Sequence, residues 1–254
     1  MALLATRLKA LYFSLAFSFG AILIWTLYTD GNPARLEIYK PWLRAAVAAL
    51  EINCFTFSLW IIYKESSYAV SAIWIFILFW TAGMGISIYI FIQLLKLSPE
   101  ECAEDPIYHV LLRHEHKRCE EQKATGKRCG LVVAATRIAY PILGCLLIAT
   151  IVYAAMTDGS PLRKQIYQAL WLKTTMVDIY VNIVALLVWV VYKETSWLSA
   201  SLWILVFVCF SSFATCAYMI KELYHLSSQG PMYLVLLRQN NNRPHSASRL
   251  PLLG

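Results

Sequence analysis

Two acids and two amides stand inside apolar surroundings, and their spacing is helical. Asp178 and Asn182 are four residues apart, and Trp189 follows seven further on. At about 3.6 residues per turn, all three fall on one helix face. Asn53 and Trp60 repeat the seven-residue step earlier in the chain, with Glu51 two residues before Asn53. A carboxylate inside hydrocarbon is costly and faces a cavity or a partner. Asp178 and Glu51 are therefore candidates to hold a cation or proton, with Asn53, Asn182, Trp60 and Trp189 fixing a polar solute. The plainer role of Asn in an apolar helix is a hydrogen bond to its neighbour. Glu51 lies about 200° around the helix from Asn53, so one narrow cavity does not take both.

Two repeated words flank these residues. Tyr63-Lys64-Glu65 and Tyr192-Lys193-Glu194 each close an apolar stretch. Lys64 and Lys193 can snorkel to an interface, and the following Ser or Thr can cap the next helix. Neither role explains Glu65 and Glu194, which makes the four charges candidates for paired gates. Thr29-Asp30-Gly31-Asn32-Pro33-Ala34-Arg35 recurs as Thr157-Asp158-Gly159-Ser160-Pro161-Leu162-Arg163. Its Gly ends a helix in the left-handed conformation, and the Pro prevents continuation. Arg35 and Arg163 are not required by that turn and are candidates to hold an anionic headgroup or substrate.

The elements that must position these residues are apolar helices. Of 254 residues, 59% are hydrophobic and 15% charged, with a mean hydropathy of +0.56. A soluble domain averages roughly 45–50% apolar and about 25% charged. That balance excludes a soluble enzyme, and seven cysteines in this length do not make a disulfide scaffold. A spanning helix needs about 20 apolar residues, and six stretches reach that length: residues 11–28, 43–63, 69–95, 131–156, 172–192 and 198–223. Trp25 and Tyr28, Trp42 and Tyr63, and Trp171 and Tyr192 bracket three of them as an aromatic belt. The first stretch follows Arg7 and Lys9 as a signal peptide would, but it has an internal counterpart and reads as a retained helix.

The chain is written twice, with an offset of about 128 residues. Besides the two words above, Ile38-Tyr39 matches Ile166-Tyr167 and Trp74-Ile75 matches Trp203-Ile204. Tyr89 matches Tyr218, and the Leu111-Leu112-Arg113 end of one segment matches Leu236-Leu237-Arg238. Three helices per copy is an odd number, and the charged linker cannot cross a bilayer. The second copy is therefore expected upside down, giving an all-α polytopic bundle of six transmembrane helices in two inverted three-helix repeats. Its divisions are a first repeat over 1–98, a hydrophilic linker over 99–130, a second repeat over 131–226 and a polar, basic tail over 227–254. Lys and Arg divide nearly evenly between the two sides, so the positive-inside rule assigns no orientation.

The Thr-Asp-Gly turn, the Asp178-to-Asn182 step and the run from Val188 to Trp197 together make a specific pattern. With Leu226-Ser227-Ser228-Gln229 and the Tyr233-to-Leu237 segment, the chain resembles an uncharacterised plant membrane-protein family, the domain of unknown function 1475. The resemblance covers most of the chain and implies a multi-pass protein of about this length, without implying an activity. The first half departs from it, with Ala49 where Asp178 stands in the repeat and Glu51 opposite Tyr180.

No Gly-rich phosphate loop, nucleophile elbow, zinc-binding HExxH or dinucleotide fingerprint is present. Cys102, His109, His114, His116, Cys119 and Cys129 in the linker lack a paired CxxC, so neither a metal nor any other cofactor is expected. Arg137 and Pro141 place a charge at a boundary and a kink in the fourth helix. The net charge of +7 lies in loops, linker and tail. It suits the bilayer and its anionic lipids better than nucleic acid, and a homo-oligomer is compatible with it. The leading expectation is a small transporter or channel-like protein for a polar solute or ion. The alternative is a non-catalytic scaffold that assembles other membrane proteins or lipids. A lipid-modifying enzyme ranks last, because no nucleophile and base stand together.

Overall fold

The computed structural model describes residues 2–32, 40–65, 67–111, 126–160 and 169–225. Among them there is no strand. Long apolar runs with no internal Pro give α1 (Ala2–Asp30), which runs through Gly20, and α2 (Pro41–Lys64). The chain continues through α3 (Tyr68–Thr81), α4 (Gly83–Leu95) and two short helices, α5 (Pro99–Glu104) and α6 (Pro106–Leu111). The second half holds α7 (Gly126–Asp158), α8 (Leu170–Lys193), α9 (Trp197–Phe210) and α10 (Ser212–His225). Gly31 and Gly159 end α1 and α7 at φ of 74° and 75°, as the repeated turn requires. Their N–H groups donate to Leu27 O and Ala155 O. α7 runs unbroken through Pro141.

Among the described residues, four helices are long and apolar enough to cross a bilayer: Leu3–Asp30, Pro41–Lys64, Val133–Asp158 and Leu170–Lys193. The other two stretches expected to span, 69–95 and 198–223, are not continuous helices. The first divides into α3 and α4 at Ala82 (φ 38°), the second into α9 and α10 at Ser211 (φ 49°). Both break residues first close the preceding helix, Ala82 N–H on Leu78 O at 2.7 Å and Ser211 N–H on Phe207 O at 2.9 Å. The backbone then turns through a conformation that L-residues rarely adopt. The resulting pieces are 13 or 14 residues long, each short of the roughly 20 needed to span alone.

The outside of the bundle is apolar. Phe17, Ile24, Phe76, Trp80, Ile138, Leu205 and Phe210 are each more than half exposed. A soluble monomer rarely exposes so much contiguous apolar surface, which is the pattern of a membrane protein. α2 and α8 form the centre: 56% and 61% of their most apolar stretch is buried, against 17% and 22% in α1 and α7. They pack on each other, and each also packs on the other half, α2 on α7 and α8 on α1. α1 lies on α4, as α7 lies on α10; α4 touches α8, as α10 touches α2. α5 and α6 belong to this body. Val110 and Leu111 are buried, and Trp60 donates its indole N–H to Leu111 O at 3.3 Å.

Candidate functional site

The break between α3 and α4 is held from α8. Asp178, 7% exposed, accepts the Gly83 N–H on Oδ1 at 2.6 Å. Gly83 is the first residue of α4, where N–H groups lack helical acceptors and the helix dipole is positive. The carboxylate thus caps a half-helix inside the bundle. Asn182, one turn on and fully buried, donates Nδ2 to Asp178 O at 2.9 Å and lies 3.4 Å from Oδ1. The approach requires glycine: a Cβ on Gly83 would meet Asp178 Oδ1 at 2.5 Å and Val181 Cγ1 at 2.9 Å.

The break between α9 and α10 is held from α2 by a neutral contact. Thr215 donates its hydroxyl to Asn53 Oδ1 at 2.9 Å. In the sequence repeat Ala49 stands for Asp178 and Ser212 for Gly83. Asn53 Nδ2, Asn182 Oδ1 and the Ser211 and Ser212 hydroxyls are buried and have no partner among the described residues. Each break therefore keeps unspent hydrogen-bonding capacity, which is costly in a core.

Trp60 and Trp189 sit elsewhere on their helices' faces, in two matching aromatic clusters. Trp60 meets the edge of Tyr89 with centroids 5.3 Å apart, and Trp189 meets Tyr218 at 5.4 Å. Trp74 and Trp203 close on the same tyrosines at 5.0 and 4.8 Å. Between the clusters lies an apolar cavity of about 100 Å³, lined by Trp60, Trp189, Thr56, Leu186 and Met219 among others.

The tyrosines account for the glutamates of the repeated words. Tyr89 donates to Glu65 at 2.8 Å, with Gln93 Nε2 at 2.9 Å, and Tyr218 donates to Glu194 at 3.2 Å. Each glutamate thus ties the end of a central helix to the broken helix beside it. At the second, Lys221 and Ser199 each donate to Glu194 at 2.7 Å, while Lys193 pairs with Glu222 at 2.5 Å. Partial burial opposes the charge on Glu194, but the Lys221, Ser199 and Tyr218 donors prevail and hold its carboxyl below the ordinary 4.5. At the first, Lys64 spends its ammonium on His109 O at 2.9 Å.

Glu51 joins neither break. It is exposed on the outer face of α2 and lines a groove there. Arg35 and Arg163 lie outside the described residues, as do His114, His116, Cys119 and the tail. Among the described residues, no group of three or more His, Cys, Asp or Glu could hold a metal ion.

A family model described as protein of unknown function (DUF1475) matches residues 6–119 and 120–243. The chain belongs to this family. No curated protein and no solved structure matches it. The two matched segments divide the DUF1475 chain between α6 and α7, so each contains one broken helix. Membership assigns no chemistry, and the functional argument rests on the two breaks.

Sequence reasoning missed Gly83 and Thr215. Tyr89 and Tyr218 were visible as a matched pair, yet nothing in their spacing linked them to the glutamates. Gly83 carries no repeat signal, since Ser212 replaces it, and Thr215 stands opposite Ile86.

Proposed function

We propose that this chain is a multi-pass integral membrane carrier that moves a polar solute or ion between α2 and α8. In this reading it spans the bilayer six times, α3 with α4 and α9 with α10 each serving as one interrupted span. The odd number per half then makes the two repeats inverted, and paired interruptions at corresponding positions of two halves are where carriers of this build hold their cargo. Counterpart packing in the two halves supports the arrangement.

One observation carries the proposal: a protein carboxylate, Asp178, is spent on the N-terminus of a half-helix in the middle of an apolar bundle. A proton or cation arriving at Asp178 competes with the Gly83 N–H for the same oxygen. Loading therefore loosens the tie between α8 and α4, and unloading restores it. The unspent Asn182 Oδ1 and Asn53 Nδ2 offer one acceptor and one donor to a polar solute. The small apolar cavity does not suit such a solute. It gives Trp60, Trp189 and Met219 room to repack as the central helices shift.

Proteoliposomes containing a trapped pH-sensitive dye test this after an external acid pulse. The wild-type chain should acidify the lumen faster than empty vesicles, and Asp178→Asn should abolish the difference at equal incorporation. Vesicles no faster than empty ones, or equal losses of incorporation and flux, would overturn the proposal. Glycosylation reporters in the linker and tail should fall on opposite sides of the membrane.

A further inference from the structure

Glu51 remains unused by the centre, and its surroundings define a second site. It lies near the midpoint of the 24-residue α2, exposed on the outer face. No hydrogen bond or ion pair reaches it among the described residues. It opens on a groove of about 510 Å³ between α2, α7 and the end of α3, walled by Phe55, Phe79, Ile142 and Leu146. Phe79, Ile142 and Leu146 are each more than half exposed, so the groove faces the lipid. The Thr150 hydroxyl on its wall is already spent on Leu147 O at 2.8 Å. The groove therefore offers one unspent polar feature, the Glu51 carboxyl.

The fold does not demand that charge. Tyr180 stands in the corresponding place on α8 and turns its hydroxyl to Val208 O at 3.4 Å, without an acid. A carboxylate kept at mid-helix against hydrocarbon marks a functional position with a partner.

We propose that this groove binds a lipophilic monocation, an amine or onium centre on an apolar body, taken up from the bilayer. The cation meets Glu51, where attraction is strong because little water screens it, and the body covers Phe79 and Ile142. The volume lies within the range of about 300–1,000 Å³ typical of small-molecule sites. A hydrated metal ion finds only Glu51 and the already bonded Thr150 hydroxyl on these walls, too few oxygens to replace its water. A second copy of the chain laying an apolar helix here would leave the carboxylate unpaired. The proposal is independent of any flux through the centre and needs only that the chain lie in a bilayer.

Equilibrium binding of tetraphenylphosphonium to the protein in phosphatidylcholine nanodiscs tests it. The wild type should bind saturably, one cation per chain, and Glu51→Gln should weaken binding by about tenfold or more, with Glu51→Asp recovering most of it. Glu51→Gln should unfold at or above the wild-type temperature, since it breaks no hydrogen bond or ion pair among the described residues. Ile142→Trp, which fills the groove from α7, should block binding without touching the acid and serves if Glu51→Gln does not fold. Absence of saturable binding, equal binding by wild type and Glu51→Gln, or a change of oligomeric state in place of cation binding would each overturn the assignment.

Discussion

The Asp178 carboxylate accepts the Gly83 N–H at 2.6 Å, so that a side chain of one long helix supplies the cap of a half-helix 95 residues away in sequence. The contact exists because position 83 has no side chain. Gly83→Ala should destabilise the protein by about 1–3 kcal/mol through overpacking, read as a lower unfolding midpoint in mild detergent. Gly83→Ala combined with Asp178→Ala should recover part of the loss, because the clashing oxygen is gone. Additive losses in that double variant would mean that the two side chains do not meet.

Shape and charge at Asp178 can be separated. Asp178→Asn keeps an oxygen that can accept from Gly83, whereas Asp178→Ala leaves the N–H of a buried helix start without a partner. Alanine should cost about 1–3 kcal/mol, and asparagine clearly less. Equal destabilisation by both would show that the charge itself holds the break together.

Glu194 gives the fold an acid limit. Its carboxyl titrates below the ordinary 4.5 because Lys221, Ser199 and Tyr218 hold the charged form. A depressed folded value contributes stability that is fully present above 4.5 and lost as pH falls through the folded value. Thermal midpoints followed from neutral pH downwards should fall most steeply there in the wild type. Glu194→Gln should start lower at neutral pH and decline less on acidification. Parallel curves for the two proteins would remove Glu194 from the acid limit.

Helix positions were legible in the sequence because apolar runs of spanning length are a strong signal; α2 and α8 follow it closely, while α1 and α7 begin earlier, at Ala2 and Gly126. Continuity of the third and sixth stretches was not legible. Residues 78–86, Leu-Phe-Trp-Thr-Ala-Gly-Met-Gly-Ile, are all compatible with an unbroken apolar helix, and the break depends on a hydrogen bond from a distant element. Asp178, Asn182 and Asn53 stood out by type; Asp178 bonds Gly83 and Asn53 accepts from Thr215, while Asn182 bonds Asp178. Trp60 and Trp189 shared their helical period but pack on tyrosines, since spacing reports a face and not the depth of its neighbours. Glu51 was separable from Asn53 by angle alone, and the structure sets it outside.

In the second half, the end of α8 closes on a lysine–glutamate pair. Lys193, with a side chain 7% exposed, pairs with Glu222 at 2.5 Å, whereas Gln93 stands in the place of Glu222 beside Lys64 in the first half. Removing one member of a buried pair strands the other, at about 3–5 kcal/mol, while replacing both with uncharged groups of similar volume is often close to neutral. Glu222→Gln should accordingly leave the Lys193 ammonium short of its acid and lower the unfolding midpoint markedly. Adding Lys193→Met should restore most of the stability, because a methionine packs against Trp189 where the ammonium now lies 5.5 Å above the ring. A double variant no more stable than Glu222→Gln alone would show that Lys193 has other work at this end of α8.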